Sequence, residues 1–586
     1  MLRLPSVQTL TDALRMIFRR FPWVIVVALG KVSVLIMLAE TSRQDTAEHP
    51  FLTRLALVFF LALPLTLSAQ LVAERRQWQV PLRLAALGTL AGLLLLFFFT
   101  LSEVPIQRDY YRFGLFMAGA HLLVSFAPFV GYDEPNGFWQ FNKALLLQSL
   151  TATLYAGTLY LGLLVAVETI RFLFDVNYPF AIELDLFILI FNFFHTLVFL
   201  SGLPPRLDTL EQQTGHNKGL KVFTQYVLLP LEVVYLLILY VYSGKILVNW
   251  QLPQGGVAYL VLAFSVAGIL ALLLIYPLRD APGERWIRLF SRRFHLALLP
   301  LIVLFFVGIF RRIHDYGITE NRYLVATLAF WLLGITLYFL ISQRDDIRWI
   351  PLTLCIISVG IAVGPWSVFS VSRRNQAQRF ETLLSKHQLL NDQQKLTGSA
   401  KVPSQDYEQL LSIVRYFGKR GESEILRPYF DQLPTGDRAI TSAMEQKLVR
   451  AMKVQTLPSA LSQNFHFSSA LERDELYTLD IKDFTSLWRF RWYNEQRLER
   501  DNWSVTTTEK GRRINVFDGN KLVVSWDLAA RLSELQKTYG STSYQVEPTA
   551  LYFDHRQPPY ALRLVLQSAS KNGDIYTGEG FFLSKR

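Results

Sequence analysis

The sequence predicts an α-helical polytopic membrane protein of about eleven transmembrane helices followed by a soluble α+β C-terminal domain. Three observations lead there. The 586-residue chain has a mean hydropathy of +0.25 and only 18% charged residues, where a soluble protein carries about a quarter. The deficit is uneven: roughly 13% of residues 1–371 are charged against roughly 26% of residues 372–586, and the second figure is an ordinary soluble value. Finally, the first part contains eleven apolar stretches of the length a bilayer crossing needs, ~17–25 residues.

These stretches are 21–38, 52–72, 82–101, 113–130, 146–168, 180–203, 223–247, 257–277, 295–310, 323–342 and 349–371. Each reads as a helix, because backbone in hydrocarbon must satisfy its own hydrogen bonds. None alternates residue by residue as a barrel strand does. Four regions follow: an amphipathic N-terminal segment (1–20), a transmembrane domain (21–371), a helical connector (372–474) and a small extracytoplasmic α+β domain (475–586). In the first, Leu10, Leu14 and Ile17 share a helical face while Arg15, Arg19 and Arg20 lie off it. That suits an interfacial helix before Pro22, or the charged flank of an uncleaved anchor. With the N-terminus cytoplasmic, the inner segments hold about 18 Lys and Arg and the outer loops about eight, the stretch 279–293 contributing most. An odd number of crossings then places the C-terminal domain in the periplasm of a bacterial inner-membrane protein.

In the tail, Ser404 caps a helix that ends at Gly421, and 422–433 and 437–454 are further helical candidates. Strands are expected from about 475. RINVFDGNKLVVSW reads as a hairpin with a DG turn and DLAARLSELQKTYG as a capped helix; residues 561–584 read as a second hairpin with an NG turn. The run RFRWYNEQRLER (489–500) mixes aromatic and charged residues, as a solvated surface or a contact with headgroups or sugars would.

Several stretches resemble a bacterial multi-pass membrane family called domain of unknown function 4153: FWQFNKALLLQ (138–148), YVLLPLEVVYLLILYVY (226–242), RWIRLFSRRFHLALLPL (285–301), RRIHDYGITENRY (311–323), IRWIPL (347–352) and GPWSVFSVSRRNQ (364–376). The resemblance implies a polytopic inner-membrane protein with an appended domain. It implies no reaction and no catalytic residues.

Motifs point to no cofactor and no metal. There is no phosphate-binding glycine loop, no HExxH and no nucleophile elbow, and the lone Cys355, in an apolar run, reads as a small buried hydrophobe. The net charge of +12 reads as cytoplasmic loops and lipid headgroups, so the bilayer and not nucleic acid is the expected partner. Candidate residues form two groups. Lys31, His121, His195 and Glu232 fall inside spans, where charge is costly and functional by default; Lys31 and Glu232 are expected to pair, or Glu232, after the helix-kinking Pro230, to bind a proton or cation. Glu168, Arg171, Glu183, Asp185, Arg311, Arg312, Glu320 and Arg322 gather at outer span ends, as an ion-pair layer or a site for a phosphate.

Three functions compete. The first is a non-enzymatic envelope protein: a transporter, flippase or assembly factor handling an amphiphilic or phosphate-bearing substrate. The second is a glycosyltransferase or ligase using a polyprenyl phosphate, with Asp45 or Glu48 as an outer-loop base and Arg311 and Arg312 on the phosphate. The third is a sensor or scaffold whose tail binds a periplasmic protein. The expectation leans to the first.

Overall fold

The computed structural model describes residues 7–44, 49–175, 181–213, 218–249, 257–278, 285–342, 345–397, 400–455, 465–469, 481–500, 502–539, 543–546, 548–572 and 574–585. Asp45 and Glu48, part of the 279–293 stretch and the 474/475 boundary lie outside the described residues. The chain forms two compact units, Met1–Arg379 with Lys419–Glu422, and Phe380–Gly418 with Ser423–Arg586.

The first unit is all helix: α1 (Val7–Arg20), α2 (Pro22–Gln44), α3 (Pro50–Arg75), α4 (Val80–Thr100), α5 (Gln107–Phe126), α6 (Pro135–Phe174), α7 (Ala181–Leu189), α8 (His195–Ser201), α9 (Lys218–Phe223), α10 (Leu229–Asn249), α11 (Val257–Leu274), α12 (Arg285–Tyr316), α13 (Glu320–Ile341), α14 (Trp349–Gly360) and the start of α15 (Val368–Lys386). A π-turn over Ile190–Phe194 joins α7 to α8, and another over Thr224–Leu228 joins α9 to α10. The second lies just before Pro230, whose missing N–H frees a carbonyl one turn earlier; the expected kink takes this form.

Among the described residues ten helices are long and apolar enough to cross a membrane. The eleventh predicted span, 349–371, is broken. Helix α14 has 12 residues, Gly364 turns the chain at φ +83°, and Pro365 offers no N–H with which the helix could continue. Even so, α14 and this turn match the depth of α5. Arg348 bonds the Tyr132 carbonyl beyond the end of α5. Midway, Cys355 donates to the Gly119 carbonyl at 3.3 Å, and Ser358 donates to that of Leu115. A Cβ on Gly119 would sit 3.0 Å from Val359, so glycine permits this approach. Cys355 is buried, as its apolar run suggests.

One end of the bundle is tied by ion pairs. Arg20 holds Glu74 at 3.0 Å and reaches the carbonyls of Leu203 and Pro204; Arg75 holds Glu134; Arg348 holds Asp346 at 2.8 Å and Asp133 at 3.3 Å.

The second unit mixes helices and sheets. Parallel strands β1 (Ala400–Pro403) and β2 (Met452–Gln455) are linked through α16 (Ser404–Gly418) and α17 (Asp437–Ala451). Burial pulls the Asp406 carboxyl upward, but hydrogen bonds from Lys386 and His387 outweigh it and hold the group below the usual Asp range. A six-stranded sheet runs β4 (Ser486–Tyr493), β12 (Ile575–Lys585), β11 (Tyr560–Asn572), β3 (Phe465–Ser469), β9 (Ser543–Val546), with β10 (Tyr552–Gln557) also on β11. A four-stranded sheet runs β5 (Gln496–Arg500), β6 (Trp503–Thr508), β7 (Arg513–Asp518), β8 (Lys521–Asp527). Helix α18 (Leu528–Tyr539) starts where Asp527 accepts the Ala529 N–H.

Both hairpins and the capped helix match the sequence reading. Strands, however, begin well before 475: β1, β2 and β3 are four or five residues long, too short to show an alternating pattern. The 489–500 run begins on an amphipathic strand with one exposed face. Its alternation buries Phe490 and Trp492, while Arg489 and Arg491 both reach Glu579.

Candidate functional site

The site begins at the corner between α4 and α5. Asp109 is wholly buried and accepts the N–H groups of Ser102 and Ile106, each at 3.2 Å, which fixes the start of α5. Arg108 and Arg112 are one turn apart and so share a face. That face looks onto a trough of about 650 Å³, bounded by α3, α4, α5, α14 and the start of α15. Ligand pockets usually occupy roughly 300–1,000 Å³.

Polarity is graded along the trough. Its lining on α5 runs from Arg108 to Leu123; fifteen residues of helix rise about 22 Å, more than half of a hydrocarbon core of ~30 Å. The deep part is apolar: Leu61, Leu65, Phe116, Ala120, Leu123 and Cys355. The mouth carries Arg108, Arg112, Arg373, Thr100, Ser367, Ser370 and Glu422. On α4, Leu96 is 61% exposed, and Val359 and Val363 are exposed on the other wall, so the trough opens sideways, onto lipid if the helices span.

The mouth has more donors than acceptors. Glu422 accepts from Arg108 at 3.3 Å. Arg112 gives one long hydrogen bond (3.4 Å) to the Thr100 carbonyl and stacks over Phe369. The Nε atoms of Arg108 and Arg112 are buried with no hydrogen-bond partner, although Arg108 Nε lies 3.8 Å from the Asp109 carboxylate, and Arg373 is exposed. Ser367 accepts the Ser370 N–H at 3.3 Å, capping α15, whose positive end therefore faces the same mouth. Three guanidinium groups and a helix N-terminus over an apolar slot can hold an anionic head and bury its tail.

None of the eight predicted span-end residues lines this trough, and they share no single volume. Arg171 bonds Glu168 at 2.7 Å and Glu183 at 3.5 Å near the α6–α7 corner, with Asp185 further along α7. Arg311 reaches Asp315 at 3.7 Å, and Arg312 follows it on α12. Arg322 donates to the Tyr316 and Gly317 carbonyls, closing the end of α12. Glu320 is held by Arg420, two guanidinium nitrogens meeting two carboxylate oxygens.

The intramembrane four also separate. Lys31, 5% exposed, lies over the Phe60 ring at 4.9 Å. Glu232, 4% exposed, sits against Gly268 and Phe294 on other helices. The pairing expected of them is absent: among the described residues no ion pair joins them, because they belong to different helix packings. His121 is exposed and bonds its own helix at Met117; His195 meets Thr153 at 3.2 Å. Sequence reasoning missed the arginines of the mouth. They carried the same signal as Arg311 and Arg312, cations against the positive-inside bias, with i,i+4 spacing besides. Buried His295, stacked on Phe339 at 4.9 Å, was missed too. Among the described residues no cluster of three or more His, Cys, Asp or Glu could hold a metal.

Comparison with known proteins gives architecture and no chemistry. A family model described as Domain of unknown function (DUF4153) matches residues 25–395. The chain is 28% identical over 398 residues to "Uncharacterized protein PM1469" of Pasteurella multocida (strain Pm70), covering 67% of this chain and 65% of that protein, just under two thirds of its length. No solved structure matches.

Proposed function

Because the chain belongs to the DUF4153 family across residues 25–395, which include every helix lining the trough, we propose that it is an amphiphile-handling membrane protein. It takes an anionic lipid or glycolipid from the bilayer into the trough and presents or moves it. One observation carries this reading: an apolar slot opening sideways ends beneath buried guanidinium nitrogens with no hydrogen-bond partner. A transferase would need a carboxylate free to act as base at the head, whereas Glu422 is engaged by Arg108, so the non-enzymatic reading is preferred. Native mass spectrometry of the full-length protein, released from nanodiscs of mixed phosphatidylglycerol and phosphatidylcholine, tests it. Retention of the anionic lipid is expected. Equal retention of both lipids, or of neither, overturns the proposal.

The proposed orientation places the N-terminus in the bacterial cytoplasm and the C-terminal domain in the periplasm. The Lys and Arg bias supports it, as does the depth that α14 and its turn share with α5. An Asn520→Cys variant, at the exposed β7–β8 turn, should react with a membrane-impermeant maleimide in intact spheroplasts. Reaction only after the membrane is broken would reverse the orientation.

A further inference from the structure

We propose that Glu232 is a proton-binding site of the membrane bundle, separate from the amphiphile trough. The side chain is 4% exposed, and its Oε2 has no hydrogen-bond partner. It lies on α10, directly after the π-turn Thr224–Leu228 and Pro230. The room it occupies depends on a glycine. A Cβ at Gly268 of α11 would collide with the Phe294 ring of α12 and sit 3.2 Å from Glu232 Oε2.

Among the described residues no charged partner meets the carboxyl. Helix α11 carries no Asp, Glu, Lys, Arg or His, and its titratable Tyr259 is nine residues from Gly268. On α12 the residue meeting Gly268 is Phe294; His295 beside it stacks on Phe339 of α13, and Arg293 is exposed. Arg285, Arg288 and Arg292 belong to α12, but their side chains lie outside the described set. On the same helix as Glu232, Tyr235 is exposed and Tyr240 gives its hydroxyl to the Ala297 carbonyl. Lys221 and Tyr226 lie on the other side of Pro230. No ion pair to Glu232 forms among the described residues.

An isolated carboxylate in such a place is far costlier than the neutral acid. The closed packing of α10, α11 and α12 therefore requires a proton on Glu232, and the proton leaves when the contact opens to water. Proton occupancy and helix packing are thus linked. A small cation fits poorly, since it needs several oxygen ligands; the nearest hydroxyl on that face of α11, Ser265, is committed to the Val261 carbonyl. The adjoining π-turn supplies a place where the helix ladder can shift register.

Two measurements test this on the full-length protein in nanodiscs. Dicyclohexylcarbodiimide, an apolar reagent for protonated carboxyls, should label Glu232 at pH 6, with labelling lost progressively toward pH 9. Separately, the melting temperature of the wild type should fall by several degrees from pH 6 to pH 9. That of Glu232→Gln, which mimics the neutral acid, should change less than half as much. Failure of the reagent to label Glu232 at pH 6 counts against the site. Equal pH dependence of the two proteins overturns it, whether or not the reagent reaches the carboxyl.

Discussion

Arg112→Ala should weaken binding of an anionic amphiphile by roughly 10- to 150-fold, corresponding to ~1.5–3 kcal/mol for a hydrogen-bonded charge removed from a dehydrated site. Among the described residues Arg112 makes one hydrogen bond, the long one to Thr100, so few of its donors are already engaged. Its removal strips the mouth without breaking an ion pair. Arg112→Lys should recover part of the loss, since the charge survives and the planar fork does not. Arg108→Ala should cost binding at least as much as Arg112→Ala, because it also leaves the carboxylate of Glu422 uncompensated at the mouth. Arg76→Ala, at the other end of the bundle, should leave affinity unchanged. Titration of a fluorescent anionic lipid into nanodisc-held protein checks the series. A flat response to Arg112→Ala would remove the mouth as a head-group site.

Arg420→Ala should destabilise the helical unit by about 3–5 kcal/mol, because it removes the guanidinium that meets the buried Glu320 carboxylate. Glu320 is 4% exposed and opens α13, and the two side chains meet through paired oxygens and nitrogens, Nε to Oε1 at 2.8 Å. The loss should appear as a melting point lower by roughly 5–10 °C for the detergent-solubilised protein. Adding Glu320→Leu to Arg420→Leu should restore most of it, since two well-packed apolar groups replace a buried ion pair at little cost. If the double variant is as unstable as the single one, the pair is not what holds this corner.

This pair also marks what the sequence could disclose. Glu320 stands out locally, as a carboxylate at the start of an apolar run, but its partner lies 100 residues away. The Arg108–Glu422 pair likewise joins residues 314 apart. Hydropathy reports which residues avoid water, and helical period reports which share a face; neither reports which faces meet. The ten long helices were therefore legible, as were both tail hairpins through their DG and NG turns. The break in the eleventh stretch was not legible, because composition shows an unbroken apolar run where Gly364 and Pro365 stop the helix. The span-end charges were recognised as anomalous and read as an ion-pair layer or a phosphate site; which carboxylate each arginine meets was not legible. The trough was illegible for a different reason: it is space left between five helices, and each of its walls reads as an ordinary apolar face.

The shortness of α14 bears on the membrane itself. Twelve residues rise about 18 Å, well below the ~30 Å of hydrocarbon that the neighbouring helices match. If the bundle spans a bilayer, regular helix covers little more than half of this wall, and the turn at Gly364 and Pro365 with the start of α15 makes up the remaining height. Backbone that is not helical is tolerated at such depth only where it packs in protein or lines a cavity, and Gly364 and Ser367 line the trough.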